Sequence, residues 1–278
     1  MKVKQTALMG FSLSAALFLV TYIPTIRWMI DRWMAEGSYY SHGFIVPIIS
    51  LYFVWRKKDE LKEVSTTGST AGLAIAIVGL VFHLICAALR VYFLSGFSFV
   101  LVLYGLVLFF FGKQVVRKLM FPIFFLLAMV PLPLVLISHL TVKLKLFVGD
   151  SSVWVLNHIG FPCVRDGSMV KMPDSFILIA APCSGLRSLI ALLTLGILFA
   201  YTSKLPNIKR GLLFLSAIPI AMGSNLVRIV LLAIVNDLYG EPVAMGFFHD
   251  FSGFMVFALA FLGLVTVNRA LEGAKQDE

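Results

Sequence analysis

The stretch Gly211-Leu-Leu-Phe-Leu-Ser-Ala-Ile-Pro-Ile-Ala-Met-Gly-Ser-Asn-Leu-Val-Arg-Ile-Val-Leu-Leu-Ala-Ile-Val235 carries one charged residue, Arg228. As a helix rising about 1.5 Å per residue it is long enough to cross a hydrocarbon layer of about 30 Å. No soluble domain could hide so much apolar surface, and the rest of the chain is similar. Of 278 residues, 60% are hydrophobic and only 13% charged, and the mean hydropathy is +0.96. The class is therefore an all-α polytopic membrane protein.

Apolar segments of this kind fall at about 7–25, 40–55, 71–89, 91–111, 118–137, 185–203, 208–235 and 251–268, which predicts about eight transmembrane helices. The first is read as an anchor, because Ile23-Pro24-Thr25 offers no small-residue cleavage site. The segments run nearly end to end, so residues 1–270 read as a single membrane domain, followed by a short polar tail, 271–278, expected to be disordered. The net charge of +9 sits in short loops between spans. That pattern sets orientation and argues against a nucleic-acid partner. With the N-terminus inside, fourteen Lys and Arg face the cytoplasm. Seven face out: Arg27, Arg32, Arg90, Lys143, Lys145, Arg165 and Lys171. Both termini are then expected to be cytoplasmic.

The long break between the fifth and sixth segments, about 139–182, lies outside in this arrangement. Residues 139–157 read as a helix on the membrane surface, and Pro131 and Pro133 as the kink or end of the span before it. Asp166-Gly167 between apolar stretches predicts a small extracytoplasmic β-hairpin, with a second turn at Pro173-Asp174. The hairpin leads directly into Cys183.

Three residues that lipid should exclude then come to one depth near the outer face: Cys183, Arg228 and His249. Cys183 precedes the sixth span. Ser184 is expected to cap that helix, and Arg187 to lie one turn further on the same side. A helix N-terminus and a nearby guanidinium both favour a nucleophilic thiolate. The plainer reading is a small buried apolar residue, and a rival is a disulfide to Cys163. Cys86 reads as packing. Arg228 at its depth costs at least ~2.5 kcal/mol on insertion scales. It shares a helix face with Asn225 and could hold an oxyanion or a substrate carboxylate. It could equally pair with backbone carbonyls or snorkel to the surface. His249 opens the eighth span and suits proton transfer, although a lone interfacial histidine needs no function. Adjacent Asp250 would point elsewhere on a helix. His42 is a supporting residue of the same site or an interfacial one beside Tyr39 and Tyr40. The five histidines show no metal-binding pattern, and neither a phosphate-binding glycine motif nor a cofactor box is present, so no metal and no cofactor is expected.

The segments Tyr40-Ser41-His42-Gly43-Phe44, Cys183-Ser184-Gly185-Leu186-Arg187, Asn225-Leu226-Val227-Arg228-Ile229 and His249 followed by Gly253, in that order and spacing, resemble the exosortases. These are membrane-embedded cysteine transpeptidases related to the archaeosortases. The resemblance runs through most of the chain. It implies Cys183 as nucleophile, Arg228 as essential arginine and His249 as the third catalytic residue. It also implies a substrate: exported proteins with a C-terminal Pro-Glu-Pro motif, an apolar helix and a basic tail (the PEP-CTERM signal), in the plasma membrane of bacteria that make extracellular polysaccharide. The acceptor (amine, lipid, glycan or water) stays open. So do three other classes of function: a non-catalytic component of polysaccharide export or assembly, a thiol–disulfide oxidoreductase using Cys163 and Cys183, and an intramembrane protease.

Overall fold

The computed structural model describes residues 2–64, 66–179 and 181–273, so most of the tail expected at 271–278 lies outside the described residues. The chain packs as two compact units, Met1–Pro133 and Leu134–Glu278.

The first unit holds α1 (Lys2–Thr21), α2 (Ile23–Met34), α3 (Ile45–Arg56), α4 (Lys58–Glu63), α5 (Thr70–Ala88) and α6 (Tyr92–Phe125). The anchor expected at 7–25 is broken. α1 and α2 meet at an angle of 61°, with Pro24 in the first turn of α2, where its missing N–H costs nothing. α5 ends at Arg90 in the left-handed conformation, φ 57°. Val91 N–H bonds the Cys86 carbonyl and Arg90 N–H the Ala87 carbonyl, which is the Schellman pattern that turns a helix sharply. α5 then runs against α6 with backbones touching. A Cβ on Gly72 would lie 2.3 Å from Phe109 N, and one on Gly105 2.6 Å from Ala76 N, as small residues permit between membrane helices.

α6 is not one straight rod. The Tyr104 and Phe124 rings are 5.8 Å apart, whereas twenty residues of straight helix would separate them by about 30 Å. A Cβ on Gly96 would meet Val130 at 2.6 Å. The chain folds back at Gly112, whose φ of 83° and ψ of 179° are non-helical. A side chain there would also strike the Thr67 carbonyl oxygen at 1.9 Å. A hydrogen-bonded cluster ties these helices together: Tyr22 to Ser98, Thr25 to Ser95, and His83 to both Ser95 and the Thr21 carbonyl.

The second unit begins with α7 (Leu134–His158), after a break at Pro131-Leu132-Pro133. It continues through β1 (Val164–Asp166), β2 (Met169–Lys171) and β3 (Phe176–Leu178) to α8 (Leu186–Thr202), α9 (Asn207–Tyr239), α10 (Glu241–Met245) and α11 (Phe247–Gly273). The expected hairpin is present, with Asp166 opposite Met169 and Gly167 at φ 60°. A third strand was not expected. β3 pairs antiparallel with β2, Val170 opposite Ile177, across a turn closed by Met172 N–H to the Ser175 carbonyl. Val170, Ile177 and Ile179 face inward and join a core with Val148 and Leu156 of α7 and Ile229, Leu232 and Ala233 of α9. Below it, α8, α9 and α11 share a second core of Leu192, Leu213, Ala217, Ala260 and Leu264.

Among the described residues four helices are long and apolar enough to cross a membrane: Thr70–Ala88, Tyr92–Met129, Asn207–Tyr239 and Phe247–Gly273. The bent pair of α1 and α2 makes a fifth. The fold-back at Gly112 divides the second of these into two rods, on the expected segments 91–111 and 118–137. The last of those ends sooner than expected, because the prolines stop the helix and residues 134–137 open α7. α3 has 12 residues and α8 has 17, so both are short for a crossing. All eight expected segments are helical, but eight crossings are not reached by length.

Candidate active site

The three-stranded sheet delivers Cys183. Its edge is tied to α7 by an Arg165–Asp150 ion pair. Its third strand is tied to the end of α9, where Asn236 donates to the Phe176 carbonyl at 3.1 Å and Ser175 to Asp237 at 3.0 Å. From β3 the chain enters a 3-10 turn, Ala181–Ser184. Gly185 follows in the left-handed region, φ 80°, as the residue that caps α8. Cys183 therefore precedes the helix by a turn of its own, and Ser184 is not the cap residue. The Ser184 hydroxyl accepts only a long bond, 3.4 Å, from Leu186 N–H. The left-handed break also removes the helical spacing that was to bring Arg187 onto the side of Cys183. Arg187 is half-buried, and its Nε is buried without an acceptor.

Asn225 explains why residue 185 is glycine. A Cβ there would lie 2.9 Å from the Asn225 side-chain carbon Cγ. With that space open, Asn225 Nδ2 donates to the Cys183 carbonyl at 3.0 Å. Asn225 is 1% exposed, and its Oδ1 has no partner. It shares a face of α9 with Arg228, as the spacing of three predicts.

Cys183, Arg228 and His249 do meet. Cys183 Sγ lies 3.2 Å from His249 Nε2, and Arg228 Nη2 lies 3.2 Å from the same nitrogen. Arg228 Nη2 also donates to the His249 carbonyl at 3.0 Å, and Arg228 Nε to Ser252 Oγ at 3.0 Å. The serine hydroxyl donates in turn to the His249 carbonyl at 2.8 Å. The guanidinium has only protons to offer, so Nε2 must accept, and the neutral ring carries its proton on Nδ1. The same lone pair of Nε2 faces the thiol, so the thiol proton has a basic nitrogen in reach. Cys183 is 2% exposed and Arg228 7%, while His249 is half-buried. A buried thiol, a base atom beside it and a fixed cation are what acyl transfer requires. Of the alternatives for Arg228, pairing with a backbone carbonyl is realised, together with two side-chain bonds.

A family model described as transmembrane exosortase matches residues 33–266. The chain belongs to the exosortase family. Exosortases are in general transpeptidases, and this one is a multi-pass membrane protein whose family acts on exported proteins. Neither a curated protein nor a solved structure matches it.

The other expected residues fall as follows. His42 lies in the first unit, where it stacks on Tyr40 at 5.7 Å and bonds the Ala128 backbone. Cys86, Cys163 and Cys183 are in no disulfide, so the rival bridge is not formed. Cys163 is held elsewhere: its backbone N–H and carbonyl both bond the Asn157 side chain, at 2.9 and 3.0 Å. Burial pushes its thiol above the ordinary range. Ser252 was not singled out from the sequence. Its spacing of three from His249 placed it on that face of the helix, but a lone serine in an apolar helix is an unremarked residue.

Proposed function

We propose that this exosortase is a cysteine transpeptidase that cleaves the C-terminal sorting signal of exported proteins, with Cys183 as nucleophile, His249 as proton carrier and Arg228 as the group that meets developing negative charge. The observation that carries the reading is the single atom His249 Nε2, 3.2 Å from both Cys183 Sγ and Arg228 Nη2.

In the first half-reaction the thiol proton passes to Nε2 as sulfur bonds to the scissile carbonyl carbon. The carbonyl π pair becomes the oxyanion, and Arg228 donates to it. Collapse of the oxyanion breaks the C–N bond, His249 returns the proton to the leaving amine, and a thioester remains. In the second half-reaction an acceptor gives its proton to His249 as it attacks the thioester, and the thiolate departs and is reprotonated. Water as acceptor gives hydrolysis; a hydroxyl or amine of a lipid, glycan or peptide gives transfer. Asn225, expected beside Arg228 at the oxyanion, is better suited to holding the Cys183 turn, because one of its N–H donors is spent on the Cys183 carbonyl. Ser184 belongs to the turn that carries the nucleophile, and Arg187 to the first turn of α8.

The site faces outward in this reading, in a plasma membrane protein with both termini in the cytoplasm and eight crossings, α3 and α8 being the short ones. The substrate carries the PEP-CTERM elements: its apolar helix lies beside the spans, its basic tail stays inside, and its scissile bond reaches Cys183. The family resemblance links the activity to extracellular polysaccharide production.

The test is coexpression with a tagged exported protein bearing such a signal, following its size and the mass of its new C-terminus. Wild type should shorten the substrate, and Cys183→Ala should leave it intact. Normal shortening by Cys183→Ala would overturn the reading. It would favour a non-catalytic role in polysaccharide export, in which Arg228 matters and Cys183 does not.

A further inference from the structure

We propose that Ser252 is a positioning residue of this site, the pivot on which Arg228 turns between His249 and the substrate. The proposal rests on the acyl-transfer reading above. Ser252 is fully buried and stands one helical turn after His249. Its single hydroxyl does two things at once: it accepts from Arg228 Nε and donates to the His249 carbonyl. It thereby joins the arginine of α9 to the backbone of the histidine on α11.

The bonding of the guanidinium gives this joint a task. Arg228 has five N–H donors. One, on Nε, goes to Ser252. The two on Nη2 go to His249, one to its carbonyl and one to Nε2. Among the described residues the two on Nη1 have no acceptor. When Nε2 takes the thiol proton it becomes a donor, and it can no longer accept from Nη2. That contact must open as the oxyanion forms. The bonds from Nε to Ser252 and from Nη2 to the His249 carbonyl do not involve Nε2, so both outlast the protonation; the Ser252 bond, at the stem of the guanidinium, is the one that also outlasts a turn of the group about Nε. The group then swings about a fixed point and stays in reach of the oxyanion. Gly253 leaves room beside it: a Cβ there would lie 3.5 Å from Nη2. Without the hydroxyl, the Nε–H is left buried with no acceptor, and the guanidinium loses one of the two ties, the one at its stem, that limit its swing.

The experiment compares wild type, Ser252→Ala and Ser252→Thr in turnover of a tagged signal peptide, as a function of substrate concentration and of pH, with thermal unfolding of each. Ser252→Ala should lower kcat by about 10²-fold, the cost of misplacing a reacting group, with KM little changed. Its rate profile should shift along the pH axis, because the contact between Arg228 and His249 is altered. Ser252→Thr should recover most of the rate. A wild-type rate and pH profile in Ser252→Ala would overturn the proposal, and so would equal impairment of the alanine and threonine variants in folded protein. If Ser252→Ala does not fold, Gly253→Ala takes its place: narrowing the space beside Nη2 should lower kcat and leave KM, and an unchanged kcat would refute the pivot. The Cys183→Ala control separates the two claims. If it is inactive while Ser252→Ala is normal, only the pivot falls; if it is active, the acyl-transfer reading falls first.

Discussion

Each unit holds one histidine in a hydrogen-bonded cluster, His83 buried in the first and His249 half-buried in the second, and the two clusters differ in how their protons are placed. In the first unit, His83 Nε2 faces the Thr21 carbonyl, so it carries the proton and Nδ1 accepts from Ser95. The Ser95 hydroxyl then accepts from Thr25. Ser98 spends its proton on the Ser95 carbonyl and accepts from Tyr22. Every donor has one acceptor and every proton one place. In the second unit, His249 Nε2 receives two donors at once. Asn225 Oδ1 and Arg187 Nε are buried without partners. All the unpaired buried polar atoms found among the described residues belong to the second unit. A hydrogen-bonded histidine in an apolar setting therefore says little about function by itself. A closed network holds helices together, whereas the second cluster leaves two donors on one nitrogen and a buried amide oxygen unpaired, which is the difference the proposed function uses.

The sharpest way to break this contrast is His249→Ala. It should lower the processing rate by about 10²–10⁴-fold, the usual worth of a positioned acid–base group, far more than the loss of folded protein that one Arg228 N–H left without its acceptor would cause. A rate close to wild type would put His249 on the same footing as His83.

Ser95→Ala asks the converse question. It removes the hydroxyl that serves both Thr25 and His83 and should cost about 1–3 kcal/mol of stability, read as a lower thermal midpoint. The processing rate per folded molecule should not change. A slowed rate at full folding would mean that the closed network does more than hold α1, α2, α5 and α6 together.

The site was more legible in the sequence than the spans were. Cys183, Arg228 and His249 stand out because an ionisable group in an apolar segment is costly, and all three converge as expected. The local turn was misread: serine is a common helix cap, and the left-handed Gly185 that displaces it depends on the Asn225 side chain, 40 residues away in sequence. The bend at Tyr22 left no mark, since apolar residues run through it and Pro24 is compatible with helix at a first turn. The fold-back at Gly112 falls in the gap expected between the segments 91–111 and 118–137. The third strand was missed because Phe176-Ile177-Leu178 is a short apolar run, which periodicity does not assign to strand or helix.

Gly185→Ala tests the misread turn. The left-handed backbone costs a non-glycine residue about 1–2 kcal/mol, and the new methyl would push Asn225 from the Cys183 carbonyl. The rate should fall by more than the loss of folded protein explains. A fall in folded protein alone would make Asn225 a packing residue.

The smallest effect should come from Cys163→Ala, which sharpens the contrast from inside the second unit. Cys163 shares a hydrophobic core with Cys183, so proximity alone would admit it to the site. Its bonding does not. The sulfur has only a weak 3.9 Å contact to the Val153 carbonyl, and Asn157 grips the backbone on both sides whatever the side chain is. Burial raises its thiol, so at neutral pH it stays protonated and a poor nucleophile. Replacing it by alanine should cost no more than about 1 kcal/mol, the worth of one buried methylene-sized group, and should leave processing at the wild-type rate under both oxidising and reducing conditions. Loss of processing in Cys163→Ala, restored by neither condition, would bring this second cysteine into the chemistry. The thiol–disulfide reading would then stand above the one built on Cys183, His249 and Arg228.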